Sequence, residues 1–68
     1  MLTLRQIAAF RAVMITGSMV RAADMMCVTQ PAVSRLIKHL EEALELPLFK
    51  RGKGGLHPTS EAIALYRG

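Results

Sequence analysis

The chain predicts a mainly α fold, a winged helix-turn-helix made of a three-helix core, a short β-hairpin wing and the start of a fourth, linker helix. Three observations predict it. Thr3, Ser18, Thr29 and Thr59 each stand where a hydroxyl can cap a helix. The run Ala22-Ala23-Asp24-Met25-Met26-Cys27-Val28-Thr29-Gln30-Pro31-Ala32-Val33-Ser34-Arg35 reads as a short helix, a tight turn and a second helix. Beyond it, two short apolar stretches flank a glycine-rich turn.

The first helix is expected over about Leu4 to Thr16. Thr3 is its N-cap, Gln6 can return the hydrogen bond, and Leu2 and Ile7 have the spacing of a hydrophobic staple. Leu4, Ile7, Phe10, Val13 and Met14 recur at helical spacing until Gly17 supplies a stop. Ser18 caps a second helix, roughly Met19 to Met26, with Ala22, Ala23 and Met26 turned inward. Thr29 caps a third, and Pro31 falls in its first turn, where a missing N–H does no harm. Val33, Leu36, Ile37, Leu40 and Leu44 form the buried stripe of that helix, which should run to about Leu44, and Pro47 ends the region.

Leu48-Phe49-Lys50-Arg51 and Leu56-His57-Pro58 then read as two strands joined by Gly52-Lys53-Gly54-Gly55. Thr59 or Ser60 caps the fourth helix, and Glu61 suits the dipole of its first turn. Residues 1–58 are thus expected to form the winged domain and 59–68 the beginning of a linker helix. The chain stops at Leu65-Tyr66-Arg67-Gly68 inside a running helix, as a fragment of a longer protein would.

Sixty-eight residues make one small domain. A hydrophobic content of 51% is high for that length and leaves apolar surface for a partner to cover. The formal charge of +4 and a pI near 10.0 favour polyanionic partners. A single cysteine, Cys27, excludes an internal disulfide and fits a reducing compartment. Arg5 and Arg11 interrupt the N-terminal apolar residues, so no signal peptide or membrane span is expected, and the chain reads as cytoplasmic.

A helix-turn-helix wants a small residue in its first helix, the turn four residues later and a buried branched residue six after that. Ala23, Cys27 and Val33 have this spacing. Cys27 stands where glycine often permits a left-handed backbone, so this turn either avoids positive φ or carries strain. Along the third helix Arg35, Lys38 and His39 precede Glu41, Glu42 and Glu45, so the N-terminal half can approach phosphates and the C-terminal half is repelled. Gln30 can bond adenine in a bidentate pattern and Arg35 guanine, while Ser34 and the Pro31 ring let the backbone come close to base edges.

Lys50, Arg51 and Lys53 form a cationic cluster with no acid between Leu46 and His57, suited to a minor groove or a phosphate backbone. Arg21 lies near the start of the second helix, where backbone N–H groups could meet a phosphate. His39 and His57 have no metal-site partners, Phe49 is read as core rather than as a base-stacking ring, and nothing resembles an active site.

Leu4 to Phe10, Gly17-Ser18, Ala22-Ala23, Thr29-Gln30-Pro31-Ala32-Val33-Ser34, Leu40-Glu41, Leu48-Phe49 with Arg51, and Pro58-Thr59 together resemble the N-terminal domain of LysR-type transcriptional regulators. The resemblance covers almost the whole chain. It implies a bacterial, sequence-specific regulator binding double-stranded promoter DNA as a homodimer or tetramer, and no enzyme. Gln30, Pro31, Ser34 and Arg35 would contact bases. Ser18, Arg21, Thr29, Lys38, Lys50 and Arg51 would contact the DNA backbone, and Lys53 of the wing the minor groove. The helix carrying Ala62, Ile63, Leu65 and Tyr66 would pair with its counterpart. No cofactor is expected in this segment, because family members bind a small-molecule effector in a C-terminal domain that this sequence does not include. Two departures stand out: Ala62 replaces a usual glycine, and the wing tip holds fewer arginines than is common.

Two other readings compete. Met14, Met19, Met25 and Met26 could serve a helical module that docks on a protein, although such spacing is more often core. Membrane-surface binding needs one continuous basic amphipathic helix, and the basic residues are scattered over several elements.

Overall fold

The computed structural model describes residues 3–68, and the expected staple partner Leu2 lies outside them. The order is α1 (Leu4–Thr16), α2 (Met19–Met26), α3 (Gln30–Leu44), β1 (Phe49–Gly52), β2 (Gly55–Pro58) and α4 (Ser60–Arg67). The four hydroxyl caps form as the sequence predicts. Thr3 and Gln6 make a reciprocal capping box, with Gln6 N donating to Thr3 Oγ1 at 3.2 Å and Thr3 N to Gln6 Oε1 at 3.1 Å. Ser18, Thr29 and Thr59 accept from Arg21 N, Ala32 N and Ala62 N respectively.

The three helices pack on one another around Phe10, Val13, Val33, Ile37 and Leu40, all buried. Ala9, Ala12, Ala22 and Ala23 are buried too, so α1 and α2 approach with little side-chain bulk between them. Leu48 and Ala62 close the core from the wing side and from α4. Of the expected α3 stripe, Leu36 and Leu44 are half-buried at its margins.

The helix ends are less regular than their starts. Gly17 ends α1 at φ 70° and donates its N–H to Val13 O at 2.7 Å. Cys27 ends α2 at φ 59° and Glu45 ends α3 at φ 56°, both left-handed without being glycine. In each case the next residue reaches back five positions: Val28 N donates to Ala23 O at 3.0 Å, and Leu46 N to Glu41 O at 3.2 Å. This six-to-one bond is the Schellman closure, and it holds a conformation that costs an L-residue about 1–2 kcal/mol. The turn therefore carries the strain that the sequence left open, and α3 is stopped by Glu45, two residues ahead of Pro47.

The hairpin is shifted from the expected bounds. Phe49 pairs with Pro58, Lys50 with His57, Arg51 with Leu56 and Gly52 with Gly55, so only Lys53-Gly54 forms the turn. Leu48 is no strand residue but a fully buried plug just before β1. Strand alternation turns Phe49, Arg51 and Leu56 to one face, and Lys50, Gly52 and His57 to the other. Phe49 and Leu56 are packed against the core, and the Phe49 ring lies 5.9 Å from that of Phe10.

Candidate nucleic-acid interface

The turn between α2 and α3 sets the exposed face of α3 outward. Gln30, Pro31, Ser34, Arg35 and Lys38 line one open groove along it, with His39 and Glu42 at its C-terminal end. These positions are linked by spacings of three and four residues, which share a helical face. Thr29 caps the helix at the groove's head, where the N-terminal N–H groups of α3 also lie.

Two further grooves join this face to its neighbours. Ser34, Lys38 and Arg51 line one of them, floored by Ile37 and Leu56. Ser18, Gln30 and Arg51 line the next, bordered by the wing glycines Gly54 and Gly55. The start of α2, the start of α3 and the inner face of the wing therefore form one surface. Arg51 is its hinge.

The expected cationic cluster is divided by the pleat. Arg51 faces the α3 groove, Lys50 points to the opposite side of the hairpin, and Lys53 stands exposed at the tip. Arg21 is exposed on α2 but lines none of these three grooves. On α4, Ala62 is fully buried in the chain's own core, while Ile63, Leu65 and Tyr66 are 41–44% exposed and open to a partner. Tyr66 and Leu65, with Ile7, Phe10 and Arg11, border a cleft of about 490 Å³ between α4 and α1.

Three residues do more than the sequence suggested. Glu41, read as a repelling charge, accepts from Leu48 N at 2.7 Å and Phe49 N at 3.3 Å through Oε2, tying α3 to the base of the wing. Thr59, read as a cap, also donates its hydroxyl to Pro47 O at 2.7 Å, and its N–H donates to Leu48 O at 2.9 Å. His57 Nε2 lies 2.8 Å from Lys53 O across the wing turn. Side-chain bonds to a distant backbone leave no periodic trace in a sequence, so pattern reading has no signal for them. Among the described residues no group of three or more His, Cys, Asp and Glu could hold a metal ion, and no helix is long and apolar enough to cross a membrane.

Three helices, a hairpin and a capped helix-turn-helix with a basic outer groove define a winged helix-turn-helix domain. Residues 4–63 match the bacterial regulatory helix-turn-helix proteins of the lysR family. The chain belongs to that family. It is 55% identical over 65 residues to the octopine catabolism/uptake operon regulatory protein OccR of Rhizobium meliloti, covering 96% of this chain and 22% of that protein. It is 51% identical over 67 residues to the regulatory protein NocR of Agrobacterium fabrum, covering 98% of this chain and again 22% of the relative. The chain thus spans about a fifth of the length of these relatives. Among solved structures, the DNA-binding domain of BenM in complex with benA site 1 DNA superposes with a TM-score of 0.90 at 38% identity, over 97% of this chain and 74% of that one. Full-length CbnR in complex with its target DNA superposes with a TM-score of 0.90 at 32% identity, over 97% of this chain and 23% of that one.

Proposed function

We propose that this domain binds double-stranded promoter DNA sequence-specifically, with α3 in the major groove and the wing at the flanking minor groove or backbone. The observation that carries the reading is the joined surface on which Ser18, Gln30, Ser34, Lys38 and Arg51 meet. A helix presented N-terminus first, with bases ahead of its acids, is the arrangement that enters a polyanionic groove. Gln30, Pro31, Ser34 and Arg35 read base edges, whereas Ser18, Arg21, Thr29, Lys38, Lys50 and Arg51 hold phosphates and Lys53 reaches the minor groove. The similarity to BenM and CbnR, each solved in complex with DNA, supports the DNA-binding reading.

The whole protein acts as a regulator in the bacterial cytoplasm, paired as a homodimer or tetramer through the helix that α4 begins, with Ile63, Leu65 and Tyr66 facing the partner. Its relatives extend far beyond the matched region, and a small-molecule effector domain would occupy that length.

Selection from a randomised duplex library tests the reading. An enriched interrupted palindrome supports specific readout by two copies about one helical turn apart, or a multiple of it. Tight, salt-sensitive binding to every sequence without enrichment overturns the specificity. Arg35→Ala should cost about 1–3 kcal/mol and relax preference at one base position. Lys53→Ala should weaken all sequences alike and lower the salt slope by about 0.9.

A further inference from the structure

We infer that His57 is a positioning residue for the wing: it clamps the turn and so sets where Lys53 stands against DNA. The inference rests on the DNA-binding reading above. Three of the four residues from 52 to 55 are glycine. Gly54 and Gly55 sit at φ 84° and 117°, and a β-carbon at either would meet nothing within 4 Å. A two-stranded hairpin whose tip is glycine and unpacked has much conformational freedom to lose on ordering.

His57 opposes that freedom from the outer face. A carbonyl oxygen only accepts, so Nε2 carries the hydrogen it donates to Lys53 O at 2.8 Å. The imidazole reaches the turn by lying over Gly52, where an added β-carbon would stand 3.5 Å from His57 Cδ2. Its cross-strand partner is Lys50, so the ring runs diagonally from the middle of the hairpin to its tip. Phe49 and Leu56 anchor the other face to the core. Among the described residues, no other side chain hydrogen-bonds to the stretch from Gly52 to Gly55. The backbone of Lys53 is thus held while its ammonium is free to project.

The test compares His57→Ala, His57→Gln, Lys53→Ala and the double variant His57→Ala/Lys53→Ala with the unaltered chain. Amide relaxation reads the clamp. Order parameters at Gly54 and Gly55 should fall below about 0.6 in His57→Ala, and they should recover in His57→Gln, whose amide can donate to the same carbonyl. Fluorescence anisotropy on a duplex of alternating dA and dT reads the consequence. At about 0.1 M salt Lys53→Ala should lose about eightfold in affinity, the factor for one phosphate contact. His57→Ala should lose about threefold, and the double variant should bind as Lys53→Ala does. Unchanged order parameters, or losses that multiply in the double variant, would overturn the inference. Failure of the unaltered chain to bind any duplex overturns the DNA-binding reading and this inference with it. Equal binding by all variants overturns the inference alone.

Discussion

Removing the Glu41 carboxylate should destabilise the domain by about 2–3 kcal/mol, although the residue faces the polar side of α3. Its Oε2 accepts two backbone N–H groups, at 2.7 Å from Leu48 and 3.3 Å from Phe49. A hydrogen bond to a charged acceptor contributes about 1.5–3 kcal/mol when well formed, and the longer of these two lies beyond the usual range of about 2.7–3.2 Å. Leu48 is fully buried, so water cannot readily replace the carboxylate at its N–H. Glu41 itself is half-buried, which holds the total to the lower part of the range, and alanine returns a few tenths through helix propensity. Glu41→Gln keeps an acceptor oxygen and should cost about 1 kcal/mol. A domain of 68 residues has about 3–10 kcal/mol in all, at about 0.05–0.15 per residue. The alanine variant should therefore melt about 8–24 °C lower, at about 4–8 °C per kcal/mol. Urea and thermal unfolding followed by circular dichroism measure both variants. A loss below about 0.5 kcal/mol for Glu41→Ala would refute the reasoning and leave the wing base held by Leu48 packing alone.

Cys27→Gly should stabilise the chain by about 0.5–1 kcal/mol. It removes the left-handed cost of about 1–2 kcal/mol and returns part of it as unfolded-state freedom; a lower urea midpoint would contradict this. Thr59→Ala should cost about 2 kcal/mol, adding the lost cap to the lost bond with Pro47 O, and Thr59→Ser should recover most of it in the same unfolding assay. Gly17→Ala should cost about 1 kcal/mol through backbone conformation alone, because φ is 70° and the space around the position is open. An unchanged midpoint there would mean that the end of α1 rearranges.

Helix starts were legible because capping is local. A hydroxyl at Thr3, Ser18, Thr29 or Thr59 finds its N–H three residues on, whatever the rest of the chain does. Helix ends fell at the expected residues, with Gly17 the stop of α1. The way α2 and α3 close was not legible, because Cys27 and Glu45 enter the left-handed region through bonds from Val28 and Leu46 that their own side chains do not signal. The hairpin was recognised and misframed for a related reason. Four residues with three glycines read as a loop, but Gly52 and Gly55 have both a donor and an acceptor and pair directly, leaving two for the turn. In the site, the spacing of Gln30, Ser34, Arg35 and Lys38 gave one helical face, as periodicity can. The division of Lys50 from Arg51 needed the strand register, which a one-residue shift would invert.

Leu48 is where these separate elements become one device. Its N–H is taken by Glu41 of α3, its carbonyl by Thr59 at the head of α4, and its side chain is fully buried. One residue therefore ties together α3, the base of the wing and the start of α4. Arg51 is only three residues further on, so its place beside Ser34 and Lys38 follows from that anchor with little freedom left. Past the Gly52–Gly55 pair, the bond from His57 is the one side-chain hydrogen bond to the tip among the described residues. Stiffness thus falls along the hairpin from a doubly held base to a lightly held tip. A substitution near Leu48 should disturb folding, the exposed face of α3 and the wing together. One beyond Gly52 should change only the wing tip, the part of the surface that can vary without loss of the fold.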